Sequence, residues 1–200
     1  MDISKSYPVT LTIDYPDRDL NRMTTFFRPI VAIPICIVLT LISGGGNDYF
    51  LSAGGILFAA TVLMILFRRK YPRWWFDWNM GVTRFSVRVC AYLCLMRDEY
   101  PSTDDEQAVH LDIAYPDVSE LSQGLPLVKW FLVIPHYIIL TFLWIAAVCC
   151  VFIAWIAIIF TGHYPRGLFD FVTGVLRWHL RVAAYAFLLV TDIYPPFSLT

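Results

Sequence analysis

Two long stretches of this 200-residue chain repeat one another. Leu11-Thr-Ile-Asp-Tyr-Pro-Asp17 returns as Leu111-Asp-Ile-Ala-Tyr-Pro-Asp117, and Val31-Ala-Ile-Pro34 returns as Leu132-Val-Ile-Pro135. Phe67-Arg-Arg-Lys-Tyr-Pro-Arg-Trp-Trp-Phe-Asp77 returns as Phe160-Thr-Gly-His-Tyr-Pro-Arg-Gly-Leu-Phe-Asp170. Gly81, Arg84, Arg88 and Tyr92 return as Gly174, Arg177, Arg181 and Tyr185, and Asp98-Glu-Tyr-Pro101 as Asp192-Ile-Tyr-Pro195. The offset falls from 101 to 93 between Pro34 and Phe67, so the first copy carries eight extra residues there. The Gly-rich run Ser43-Gly-Gly-Gly-Asn-Asp-Tyr49 is the natural place for them.

Each copy must bury a great deal of apolar surface. Hydrophobic residues make up 58% of the chain and charged residues 16%, against about 25% charged in an ordinary soluble domain. A domain of this size keeps much of its surface in solvent, so the solvent for that surface is lipid. This argues against a cytosolic enzyme, a nucleic-acid binder or a disordered linker. Residues 1–97 hold 11 basic and 6 acidic residues, and residues 98–200 hold 4 and 10. Neither half is basic enough for DNA. The first 28 residues contain four Asp and no apolar run, unlike a signal peptide. The five Cys form no Cys-x-x-Cys, so no disulfide framework or zinc site is signalled.

Each copy reads as a strand, a long apolar segment, a linker and a helix. Val9, Leu11 and Ile13 alternate with polar residues, as do Val109, Leu111 and Ile113, predicting strands over 8–15 and 109–115. The apolar segments 29–67 and 127–160 are expected to be transmembrane helical hairpins. The second, as one helix, would run about 51 Å against a hydrocarbon core of about 30 Å. Tyr-Pro linkers then lead into helices predicted over 78–96 and 172–190. Seven of the eleven Tyr precede Pro, each near an element boundary.

The spacing of Asp77, Gly81, Arg84, Arg88 and Tyr92 puts them on one helical face, and Asp170, Gly174, Arg177, Arg181 and Tyr185 do the same. Such a helix lies in the membrane interface or spans with buried Arg. Burying Arg costs at least about 2.5 kcal/mol each, which favours the interface. Asp77, Arg84, Arg88, Tyr92, Asp170, Arg177, Arg181 and Tyr185 are candidates to bind anionic lipid or a partner loop. The bland alternative is that Asp77 and Asp170 cap their helices and the Arg snorkel. Trp74, Trp75, Trp78, Arg73 and Arg166 are expected interface anchors.

The expected architecture is therefore an all-α polytopic membrane protein of two tandem pseudo-repeats, 1–104 and 105–200. Each has a short strand, a transmembrane hairpin and an amphipathic interfacial helix. Arg and Lys flank the first hairpin, and the tip has none, which places both termini in the cytoplasm. If the Arg helices span instead, the repeats are inverted, as in many transporters.

The second copy resembles the uncharacterised bacterial membrane proteins of domain-of-unknown-function family 4389. The likeness rests on Leu127-Val-Lys-Trp-Phe-Leu-Val-Ile-Pro-His136, Phe160–Phe171, Arg177-Trp-His-Leu-Arg181 and Tyr194-Pro-Pro-Phe-Ser198. The first copy resembles it in a second tandem unit, but with Arg68-Arg69-Lys70 for Thr-Gly-His and Trp74-Trp75 for Gly-Leu. The resemblance implies a location in the bacterial inner membrane and no catalytic residues.

The function expected is a non-enzymatic membrane scaffold or accessory subunit, without cofactor or metal, that organises lipid or a larger complex. Its expected partners are the bilayer, anionic phospholipids, other membrane subunits or itself, and not nucleic acid. The alternatives are a small repeat-built transporter or channel, and a redox or metal-binding subunit. The last would use His136 or His163, which flank the second hairpin and approach one another if it closes.

Overall fold

Alternating apolar residues give each half a strand with one buried face. In the computed structural model, residues 7–42, 53–68, 70–103, 105–117, 121–122 and 124–200 are described. Strands β1 (Val9–Ile13) and β2 (Val109–Ile113) pair antiparallel with Leu11 opposite Leu111. Val9, Leu11, Ile13, Val109, Leu111 and Ile113 are buried, while Thr10, Thr12, His110 and Asp112 face out.

The described residues hold seven helices: α1 (Arg22–Val31), α2 (Ile33–Ile42), α3 (Ala53–Arg68), α4 (Arg73–Leu93), α5 (Leu125–Leu132), α6 (Ile134–Thr161) and α7 (Arg166–Ala186). Packing is crosswise: β1 of the first half lies on α7 of the second, and β2 of the second on α4 of the first. Beneath them α6 packs on α7, α2 on α4, and α1 on α6. The main core therefore draws on both strands, α4, α6 and α7.

Corresponding contacts recur on both sides of the strand pair. Tyr15 donates its hydroxyl to the carbonyl of Tyr164, and Tyr115 donates to the carbonyl of Tyr71. Arg166 sits over the Tyr15 ring at 5.2 Å and Arg73 over Tyr115 at 5.6 Å. Leu95 and Leu189 both take positive φ, 63° and 55°, just past the ends of α4 and α7. These left-handed residues turn the chain out of the helix so that Met96 and Val190 bond back to Ala91 and Ala184.

The second apolar segment departs from the expected hairpin. It is one 28-residue helix, α6, preceded by the short α5. Leu143-Trp-Ile-Ala-Ala147 carries no turn former, and a turn there would strand backbone polar groups among apolar side chains. Pro135 falls in the first turn of α6, where its missing N–H costs nothing. Gly162, at φ 81°, ends the helix. In the first half the helical path is α1, α2 and α3, and α1 begins well before residue 29. The expected tip, Ser43 to Tyr49, lies outside the described residues.

The Arg-bearing helices start earlier than 78 and 172. Pro72 and Pro165 are extended N-cap residues, and helix runs from the Arg that follows each. Asp77 and Asp170 are thus in the second turn and cap nothing. Trp74, Trp75 and Trp78 belong to α4 rather than to a linker.

Among the described residues one helix, α6, is long and apolar enough to cross a membrane. The pair α1–α2 meets the same test together but is bent by 44° at Ala32.

Candidate functional site

The Arg stripes of α4 and α7 turn toward main-chain carbonyls. Arg84 donates to the carbonyl of Leu111 at 3.2 Å. Arg177 donates twice to Leu11, at 3.2 and 3.1 Å, and once to Leu199 at 3.3 Å. Leu11 and Leu111 sit opposite each other at the centre of the strand pair. Each guanidinium therefore satisfies a strand carbonyl of the other half, closing an edge that a two-stranded sheet leaves open.

One turn further on, Arg88 donates to Ser102 at 2.6 Å, and Arg181 to Ser198 and Thr200 at 3.4 and 2.5 Å. Burial pulls both guanidinium pKa values down, and the neighbouring Arg84 or Arg177 adds to the effect. Gly174 lies so close to the C-terminal segment that a Cβ there would meet the Leu199 carbonyl at 2.8 Å, whereas one at Gly81 would meet nothing. Asp77 and Asp170 are exposed.

The last stripe residues, Tyr92 and Tyr185, lead to a feature that the repeat alone did not announce. Arg28, on α1, is 1% exposed. It pairs with Asp98, donates to the carbonyls of Tyr92 and Arg97 at 3.2 and 3.0 Å, and sits 4.5 Å from the Tyr92 ring centre. Lys129, on α5, is fully buried. Its Nζ is 2.7 Å from the Asp192 carboxylate, donates to Thr191 O at 2.7 Å, and lies 4.7 Å from the Tyr185 ring centre. Burial lowers the Lys129 pKa, and the bond to Asp192 opposes that shift. Asp98 and Asp192 also accept the N–H groups of Asn21 and Ser122. These two cation boxes pin α1 and α5 to the ends of α4 and α7. The signal was present in the sequence, in the repeated Asp-x-Tyr-Pro and the Arg28/Lys129 correspondence.

His136 is fully buried at the start of α6. Trp178 Nε1 donates to its Nδ1 at 3.0 Å, which leaves the ring proton on Nε2. Phe197 stacks on it at 3.9 Å, and Tyr194 lies at 4.9 Å. His163 is exposed beside Asp19, 3.2 Å away. The unbroken α6 separates the two His by about 40 Å of helix, so they do not meet as the hairpin expectation required. Among the described residues no three His, Cys, Asp or Glu side chains gather as a metal would need.

The expected anchors divide. Trp74 and Trp78 are exposed, at 68% and 42%, as are Arg73 and Arg166. Trp75 turns inward and donates to Thr61 at 2.9 Å.

Residues 126–198 match the model of a domain of unknown function, DUF4389. They contain one such domain, and no second copy is detected in the rest of the chain. No curated protein and no solved structure matches the chain. The domain covers α5 to α7 with both the Lys129 and His136 sites, and it leaves out both strands.

Proposed function

We propose that this chain is a non-enzymatic scaffold or accessory subunit of the bacterial inner membrane, which organises lipid or a larger membrane complex. The observation that carries this reading is the exposed apolar surface of α1, α2, α5 and α6. It includes Phe26, Ile30, Ile37 and Leu41 of α1 and α2, Phe131 of α5, and Phe142, Ile145, Phe152 and Phe160 of α6, all more than half exposed. Water would disfavour so large a patch, and lipid accommodates it. The basic residues around the first apolar segment put the termini on the cytoplasmic side in this reading. Trp74, Trp78, Arg73 and Arg166 act as interface anchors.

The Arg stripes contribute by holding the strand pair and the C-terminal segment, and any anionic lipid competes with those carbonyls. We read the two halves as tandem units of one design, because their contacts correspond residue by residue. The test is flotation with phospholipid vesicles, followed by mild detergent extraction. Flotation with a stable oligomer, a co-purifying subunit or retained lipid is expected. A protein that stays with the soluble fraction sinks the reading.

A second reading, a small transporter or channel, draws on the length of α6, which suffices to cross a bilayer. It requires a water-filled path through an assembly of several copies.

A further inference from the structure

The strand pair limits how α6 can sit in lipid. Strand β1 runs along α7: Tyr7 donates to the Arg181 carbonyl at 3.1 Å, Arg177 reaches Leu11, and Tyr15 bonds the Tyr164 carbonyl. From Tyr7 to Tyr15 an extended chain covers about 26 Å. Helix α7 also lies against α6, with which it forms an antiparallel pair closed by the short link 162–165. At one end of α6, Leu20 donates to Gly162 O at 2.9 Å; at the other, His136 meets Trp178. Strand β1 and α7 therefore run side by side over about 26 Å, and the longer α6, at about 42 Å, lies alongside α7 from its C-terminal end.

Whatever depth α6 reaches, the strand pair reaches too. Its outward face carries Thr10, Thr12, Asp14, His110 and Asp112, all exposed. If α6 stood along the bilayer normal, these groups would lie at the level of the hydrocarbon core, where the Asp112 carboxylate and the exposed Asp14–His110 contact are strongly disfavoured. If α6 lies flat, one slab results. The polar strand face looks to water, α4 and α7 form the middle, and the apolar faces of α1, α2, α5 and α6 enter the lipid.

We infer that α6 lies in the membrane plane, and that this apolar face seats the protein in one leaflet of a phospholipid bilayer without crossing it. The inference rests on the membrane reading above and narrows it. A 28-residue helix passes a length test for spanning, yet length does not separate in-plane helices from spanning ones. In-plane seating keeps both halves on one side. It also places the exposed Trp74 and Trp78 within reach of the headgroups.

The test uses the full chain in vesicles of phosphatidylethanolamine and phosphatidylglycerol. Polarised infrared spectroscopy of oriented bilayers reads the mean helix direction with no substitution. An amide I dichroism of helices parallel to the surface is expected, and dichroism along the normal overturns the inference. Site-specific labelling adds a second reading. Gly124→Cys, at the exposed start of α5 that leads into α6, and Thr161→Cys, at the exposed far end of α6, are each introduced into a chain whose five native Cys are Ala. A membrane-impermeant maleimide is expected to reach both from the same side as Thr10→Cys. Labelling of the two ends from opposite sides overturns the inference, and favours a pore whose lumen the strand face lines. If the native chain does not float with vesicles at all, the membrane reading itself fails, and this inference fails with it.

Discussion

Lys129 Nζ lies 2.7 Å from the carboxylate of Asp192, fully enclosed beneath a helix of only eight residues. Arg28 and Asp98 form the corresponding pair in the first half. A helix as short as α5 has little stability of its own, so this pair and the bond to Thr191 O decide whether it stays docked. Lys129→Met is expected to cost about 3 kcal/mol, because Asp192 loses the cation paired with it while remaining partly buried. Adding Asp192→Asn should recover part of that loss. Denaturant unfolding in detergent micelles measures both, and strictly additive losses would contradict a coupled pair.

Gly81 and Gly174 occupy corresponding positions on α4 and α7 but should respond oppositely to Ala. Gly81→Ala meets open space in mid-helix and should stabilise by up to about 1 kcal/mol. Gly174→Ala drives a methyl into the Leu199 carbonyl, so either the C-terminal segment shifts or stability falls by about 1–3 kcal/mol. Proteolytic sensitivity of residues 195–200 distinguishes a displaced segment from a globally weakened fold.

Arg177 makes two bonds to Leu11 O, and Arg84 makes one to Leu111 O. Arg177→Leu is therefore expected to destabilise by about 2–3 kcal/mol and Arg84→Leu by about 1 kcal/mol. Amide exchange at β1 and β2 should quicken with the same ranking. Equal effects would show that the strand carbonyls do not depend on the guanidinium groups.

Glu99 ties the chain after α4 to the start of β2. Arg97 donates to its carboxylate at 2.8 Å, and the Ala108 N–H at 3.4 Å. Burial raises the Glu99 pKa, but these two bonds and the charges of Arg97 and Arg18 outweigh it, so the net direction is downward. A carboxyl with a depressed folded pKa stabilises above its ordinary value of 4.5 and loses that contribution as pH falls through the folded value. The wild-type melting temperature should drop more steeply below that pH than the melting temperature of Glu99→Gln. Because Glu99 is partly exposed, the difference will be small and will shrink in high salt.

The strands were legible because period-two alternation survives any context that buries one face. Val9 to Ile13 and Val109 to Ile113 lie inside the expected ranges. The unbroken α6 of the second half was not legible for the opposite reason. A nearly uniformly apolar run from Trp130 to Phe160 carries no periodicity, so only its length against the hydrocarbon core spoke for a hairpin, and no turn former stands in it. The Arg stripes were visible as stripes, but their targets were not. A guanidinium that completes a strand edge and one that meets a phosphate need the same spacing. What separates them is a carbonyl on the other half of the chain, far away in sequence. The cation boxes are visible in the sequence only as the matched positions Arg28/Lys129 and Asp98/Asp192, and nothing there says that each cation meets its Asp.

The crosswise seating of β1 on α7 and β2 on α4 leaves neither half self-sufficient. A ribosome that has released only the first half has made a strand without its helix and a helix without its strand. Both stay unsatisfied until β2 and α7 emerge. Two separately synthesised halves, 1–104 and 105–200, should therefore reconstitute one another when mixed. A shorter chain holding one such half would find the missing pieces in a second molecule of itself, so a duplication of that gene would fuse a homodimer into a single polypeptide.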